Sequence, residues 1–239
     1  MIDDRASTAA RNNAEWCEAV CRAHGLPGDF GPRAWTNPRR TPLLYPDAVT
    51  LSADATEDDV LAAIDTATDT AGGGCSVKDS FASLDLSGAG FDVLFEARWL
   101  HRPAGTPAPV APPGVAWAPL TTPADLAEWA TAWDAGQGLA ALFRPELLAD
   151  PAVTFLAGRD PDGRVAAGAV VSLGGGAAGL SNVFATDGDT DGAWAGCLSA
   201  MGRQWPGTPV VGYEHGDDLA AAVRYGCGVV GPLRVWLAP

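Results

Sequence analysis

Thr154-Phe155-Leu156-Ala157, Val165-Ala166-Ala167-Gly168-Ala169-Val170 and Gly179-Leu180-Ser181-Asn182-Val183-Phe184 are three apolar runs in one stretch of chain. Each is bounded by turn chemistry: Asp160-Pro161-Asp162-Gly163 separates the first two, and Gly174-Gly175-Gly176 the second and third. Such residues bend a chain sharply because Gly tolerates positive φ and Pro and Asp preset the turn. Val153–Arg159, Arg164–Leu173 and Ala177–Ala185 are therefore expected to form a meander of three antiparallel strands.

Downstream, Gly192–Trp205 reads as a helix, Val210–Glu214 as a strand, Asp217–Tyr225 as a helix and Val229–Leu237 as a closing strand. Upstream, Val115–Leu120 reads as a strand and Pro123–Trp133 as a helix. Thr122 is placed to cap that helix, and Pro123 sits in its first turn, where a missing N–H costs nothing. Pro145–Leu148 is a short helical turn. The order β-α-α-β-β-β-α-β-α-β predicts a mixed-sheet α/β fold.

The earlier part of the chain is less regular. Asn13–His24 predicts a helix with Trp16, Val20 and Ala23 on one face beside Cys17 and Cys21, stopped by Gly25 and Pro27. Gly28–Pro46 reads as loop. Ala48–Leu51 predicts a short strand and Thr56–Thr66 a helix, with Glu57, Asp58 and Asp59 at its electropositive end. Gly72-Gly73-Gly74 is a break, Ser76–Ser80 a strand, Phe81–Leu86 a turn or short helix, and Val93–Leu100 a strand. Five prolines between Pro103 and Gly114 mark a linker. The expected division is an N-terminal α/β region, 1–107, and a second domain, 115–239.

A net charge of −14 over 239 residues argues against nucleic acid and anionic membranes as partners, since both need clustered Lys and Arg. It would attract an amine-bearing small molecule. Met1–Asn13 lacks the apolar core of a signal peptide, and no stretch is long and apolar enough to span a bilayer. The five cysteines (17, 21, 75, 197 and 227) are odd in number and widely spaced, which predicts reduced thiols and a cytoplasmic setting. Richness in Ala, Gly, Asp and Arg, with Lys78 the single lysine, resembles the bias of GC-rich bacterial genes.

From Val153 to Leu237 the chain resembles the GNAT superfamily of N-acetyltransferases. The meander carries the resemblance together with Val211-Gly212-Tyr213-Glu214, Asp217-Asp218-Leu219-Ala220-Ala221-Ala222, Gly226-Cys227 and Val230-Gly231-Pro232-Leu233. These last segments resemble the family's strand–helix–GF–strand ending, with Cys227 where Phe is usual. The resemblance implies a V-shaped slot between two splayed parallel strands. There the pantetheine arm of acetyl-CoA would bond to backbone groups of Asn182, Val183 and Phe184, and the pyrophosphate would rest on N–H groups at Gly192 and Ala193. It also implies transfer of an acetyl or other acyl group to a small-molecule amine, with Glu214 or His215 as general base.

Two departures weaken that implication. The family's pyrophosphate loop has Arg or Gln, two residues, Gly, one residue, then Gly or Ala. Thr186–Trp194 offers Gly188, Asp191 and Ala193 in one register and Asp189, Gly192 and Trp194 in the next, and neither fits. Asp187, Asp189 and Asp191 would stand beside a pyrophosphate, and like charges about 4 Å apart repel by about 1 kcal/mol in water and roughly 4 kcal/mol at an effective dielectric of about 20. The second departure is Ala222, which occupies the position of the Tyr that protonates the leaving thiolate in many members; Tyr225 comes three residues later and does not fill that position. The rival reading is therefore a catalytically degenerate GNAT-fold protein that binds a ligand or partner without using CoA.

Residues 45–102 resemble a degenerate GNAT-like half, which would make the chain a tandem pseudo-repeat. Val77-Lys78-Asp79-Ser80, Gly90-Phe91 and Arg98-Trp99-Leu100 mirror Val211–Leu237 with its Val235-Trp236-Leu237. An ordinary α+β extension is the alternative. A second copy of the chain is a candidate partner.

Other motifs read more blandly. Cys17, Cys21 and His24 share a helix face but lack a fourth ligand, so no metal is expected. Asp187–Asp191 is similar to a calcium loop without its downstream acid and reads as a solvated turn. His101 reads as a surface residue, and Cys75 and Cys227 as buried thiols. Trp129, Trp133, Trp194, Trp205 and Trp236 suit the core, whereas Trp16, Trp35 and Trp117 are candidates to line a pocket.

Overall fold

The computed structural model describes residues 4–66 and 74–238. Gly72 and Gly73 of the expected break lie outside the described residues. The chain opens with α1 (Asp4–Ala23), which starts well before the expected Asn13. Its first half is lined by Ala6, Ala9 and Ala10, packed against Trp99, Val211 and Leu233. Alanine contributes little to an apolar stripe in sequence, yet its small side chain lets the helix lie close to a sheet.

The expected loop 28–46 contains two short strands, β1 (Asp29–Phe30) and β2 (Ala34–Thr36). Next come β3 (Ala48–Thr50), α2 (Glu57–Leu61), β4 (Cys75–Asp79) and β5 (Asp92–Arg102). The helix α2 is shorter than the expected Thr56–Thr66. It is held by a reciprocal capping box between Thr56 and Asp59.

The later elements follow the predicted order, with the expected helical turn at Pro145–Leu148 present as a single 3-10 turn, Pro145–Ala149. They are β6 (Ala116–Pro119), α3 (Pro123–Asp134), β7 (Val153–Arg159), β8 (Val165–Gly174), β9 (Ala177–Ala185), α4 (Thr190–Gln204), β10 (Val210–Glu214), α5 (Gly216–Arg224) and β11 (Gly228–Ala238). The Thr122 hydroxyl caps α3 by accepting from the Asp125 N–H. Gly163, Gly175 and Gly176 take the positive φ that the hairpin turns require.

Among the described residues, eleven strands make one mixed sheet in the order β1-β2-β3-β4-β11-β5-β10-β9-β8-β7-β6. The connector 103–114 contains no strand or helix, but the sheet does not stop at it. β5, from before the connector, lies antiparallel between β10 and β11, from after it. Pairing senses match on the two sides of the β5–β11 seam. β3 runs parallel to β4 and β9 parallel to β10, and each pair continues outward through antiparallel neighbours.

Helices cover both faces of the sheet. α1 and α3 pack on one face, around Trp16, Trp129 and Phe155, and over Trp99 and Val211. α4 and α5 pack on the other, against Leu156, Val171, Leu180 and Val210. No helix of the described residues is long and apolar enough to cross a membrane.

Candidate functional site

β9 and β10 share two rungs, Ala178↔Val210 and Gly179↔Val211. They are still close at Gly212, where an added Cβ would lie 2.7 Å from the Leu180 carbonyl oxygen, and pair no further. On its other side β9 carries a bulge. Its ladder to β8 passes from Val170↔Ser181 to Gly168↔Phe184, so Asn182 and Val183 have no rung on either edge. Asn182 takes φ 52°, a left-handed conformation that Asn accepts more readily than most residues. Backbone polar groups freed from a ladder in mid-sheet need other partners, so this stretch is suited to hold an extended ligand.

A cavity of about 290 Å³ opens there. Ser181, Asn182 and Val183 line it from β9, and Gly212, Tyr213 and Glu214 from β10. Asn12, Asn13 and Trp16 of α1 close it on one face of the sheet, with Tyr45 and Trp133 beside them, and Asp218 of α5 borders it on the other. Trp133, expected in the core, lines this cavity together with Trp16. Trp35 and Trp117 do not: Trp35 Nε1 donates to Glu18 at 2.9 Å, and the Trp117 indole packs over Gly196.

Glu214 is half-buried at the end of β10. Burial removes water from its carboxylate, and Asp218 adds like-charge repulsion, so its pKa is pushed up from 4.5 to about 8. His215 follows a different path. It is exposed at the N-cap position of α5 without a side-chain capping bond, and its ring packs on Phe95 with centroids 5.7 Å apart. It is not among the cavity-lining residues, so of the two expected bases only Glu214 faces the slot.

Lys78 is the residue that sequence reasoning missed. Its amino group donates to Asn13 Oδ1 at 2.8 Å and Tyr213 Oη at 3.3 Å, and lies 4.3 Å from the centre of the Tyr213 ring. Its being the single lysine was legible, but nothing local indicated that β4 would carry it to the slot.

The start of α4 differs from expectation. Asp189 is the N-cap, and its carboxylate accepts the Gly192 N–H at 3.0 Å. The Ala193 N–H bonds to the Asp189 carbonyl at 3.0 Å. The two amides expected to be available to a pyrophosphate are thus already engaged, because an Asp at the N-cap satisfies the helix terminus internally. Asp191 pairs with Arg224 of α5, and Asp187 accepts the Asp189 N–H at 3.0 Å.

Ala222 is fully buried under α4. Tyr225 caps α5 and packs in the same cluster, away from the cavity. Cys17 and Cys21 are buried beside Trp35 and Val49, while His24 Nε2 lies 2.9 Å from the Leu142 carbonyl oxygen. All five cysteines are unbridged and buried, and burial pushes up the pKa of each.

No family model matches the sequence, and no curated protein matches it. Solved structures do share the fold. A GCN5-related N-acetyltransferase from Kribbella flavida superposes with a TM-score of 0.60 at 17% identity, covering 97% of this chain and 95% of its own. A conserved protein of unknown function from Staphylococcus epidermidis gives 0.57 at 11% identity, over 70% of this chain and 72% of its own. A GNAT-family protein from Novosphingobium aromaticivorans gives 0.51 at 14% identity, over 93% of this chain and 94% of its own. Two of these three likenesses extend over both halves of the chain, which therefore has a mixed α/β fold of GNAT-like topology.

Proposed function

We propose that this protein is an acyl-CoA-dependent N-acyltransferase acting on a small-molecule amine. The observation that carries the reading is the parting of β9 and β10 after two rungs, with a cavity in the gap. An extended pantetheine thioester would lie along β9, bonded to backbone groups of Asn182, Val183 and Phe184. The amine would enter from the α1 face. Its nitrogen lone pair attacks the thioester carbonyl carbon, the C–S bond breaks to release the CoA thiolate, which takes a proton from solvent, and Glu214 takes the proton that the amine loses, directly or through water. Acetyl-CoA is the donor proposed.

Titration calorimetry with acetyl-CoA and desulfo-CoA tests the donor site. Saturable heat from both is expected, and none at high micromolar protein would remove the proposal. A second reading, a GNAT-fold ligand-binding protein without CoA chemistry, is favoured by the Asp189 cap and by Ala222. Turnover of acetyl-CoA lost in Glu214→Ala would exclude it.

The matched pairing senses about the β5–β11 seam support a tandem origin. In that reading β3, β4 and β5 stand where β9, β10 and β11 stand in the second half, and each half completes its sheet with the other's last strand. A homodimer would place two slots in one particle, and sedimentation would show it.

A further inference from the structure

The cavity holds an anomaly of charge. The chain carries −14 overall, yet a lysine only 5% exposed lines the slot. A lysine ammonium has three donors and no acceptor, and a buried one ordinarily faces a carboxylate. Lys78 does not. Its partners among the described residues are an amide oxygen, a phenol oxygen and a ring face, all uncharged.

Nearby carboxylates are committed elsewhere. Asp79 accepts from the Phe81 and Leu84 N–H groups, and Asp47 from those of Thr41 and Ser76. Glu214 lines the same cavity, but strand alternation turns it away from Tyr213 and Lys78, toward Asp218. The slot therefore holds a positive charge on its α1 face and a proton acceptor on its α5 face.

We infer, on the reading of the slot as an acyl-transfer site, that Lys78 binds the carboxylate of an amino-acid-like acceptor whose amine points toward Glu214. One ammonium compensates one negative charge, and a carboxylate carries one. A ligand carboxylate would take the remaining Lys78 donor and supply the missing counter-charge to an ammonium that is itself buried. The surrounding Trp16, Tyr45 and Trp133 offer apolar surface to an acceptor side chain. The overall negative field by itself favours a purely cationic amine, but on the α1 face of the slot the nearest charge is Lys78, whose burial leaves it little screened.

The test is equilibrium binding of the twenty standard amino acids to the intact protein. Each binder is then compared with its own carboxamide, in wild type, Lys78→Met and Lys78→Arg. The expected result is at least one binding amino acid, with roughly ten- to hundred-fold weaker binding of its carboxamide. That difference should vanish in Lys78→Met and survive in Lys78→Arg. Absence of any binder at 10 mM, equal binding of acid and amide, or a difference that persists in Lys78→Met would overturn the inference.

The wild-type comparison of acid with amide decides the matter even if Lys78→Met does not fold. A Lys78-dependent preference for succinyl-CoA over acetyl-CoA, with acid and amide bound alike, would assign the carboxylate to the donor and likewise overturn it. Parallel titration with acetyl-CoA separates the two proposals. Lys78-dependent amino-acid binding without acetyl-CoA uptake would uphold the anion site and remove the transferase reading. Acetyl-CoA turnover on amines lacking a carboxylate, unchanged in Lys78→Met, would do the reverse.

Discussion

Asn12 of α1 occupies the space that a side chain at Gly179 of β9 would need: a Cβ there would lie 1.8 Å from Asn12 Oδ1. Asn12 is buried, and its amide donates to the carbonyls of Ser172, Gly174 and Ala177 at 2.9, 3.0 and 3.3 Å. The first helix is thereby latched onto the β8–β9 hairpin at the last rung before β9 and β10 part.

Gly179→Ala should therefore destabilise the protein by about 1–3 kcal/mol, since Asn12 cannot yield without breaking its bonds. Asn12→Ala should cost a similar amount through its three abandoned carbonyls. The double variant should be more stable than the sum of the two by about 1 kcal/mol or more, because removal of the amide vacates the space. Denaturant unfolding measures all three, and simple additivity would contradict the latch.

Glu214 makes stability depend on pH with a definite sign. Its folded pKa is near 8 against an ordinary 4.5, so between those values the unfolded chain releases a proton that the folded chain keeps. Stability contributed at this position is thus full below about pH 4.5 and falls as pH rises through 8. Glu214→Gln removes the titration. Its melting temperature relative to wild type should rise between pH 5 and pH 9, and a difference that does not change with pH would count against the raised pKa.

The same group sets the expected rate profile. If Glu214 takes the proton from the amine, kcat/KM of wild type divided by that of Glu214→Gln should climb with pH and level off near pH 8, because ionisation of the amine is common to both enzymes. The plateau ratio should be about a hundred- to ten-thousand-fold. A flat ratio would remove Glu214 as base. His215→Ala, at an exposed ring outside the cavity, should change kcat little.

Asp189 caps the start of α4, where the proposed donor would bring its pyrophosphate. Asp189→Gly frees the Gly192 amide and deletes one carboxylate, at a cost of a few tenths of a kcal/mol in helix capping. Acetyl-CoA affinity should rise several-fold, and the gain should shrink at high salt as like-charge repulsion is screened. Unaltered affinity would mean that no pyrophosphate approaches this terminus.

The parts of the molecule legible in sequence are those governed by neighbours along the chain. Asp160-Pro161-Asp162-Gly163 and Gly174-Gly175-Gly176 set the two hairpins, and Thr122 with Pro123 set the start of α3. The position of Glu214 was also legible, as the last residue of a strand followed by a helix start. Asp187, Asp189 and Asp191 announced an electrostatic difficulty, although not that Asp189 would take up the Gly192 amide itself.

Tertiary structure decided the rest, for one physical reason: sheet pairing joins segments remote along the chain, and no local pattern records the partner. β5 lies between β10 and β11, so residues on either side of a proline-rich connector share one sheet. Lys78 reaches Tyr213 across 135 positions, and Asn12 reaches Ser172 across 160. Local turn and capping chemistry in the sequence determined the meander, the start of α3 and the order of the later elements. Long-range packing alone determined that α1 would close the slot and that the single lysine would stand inside it.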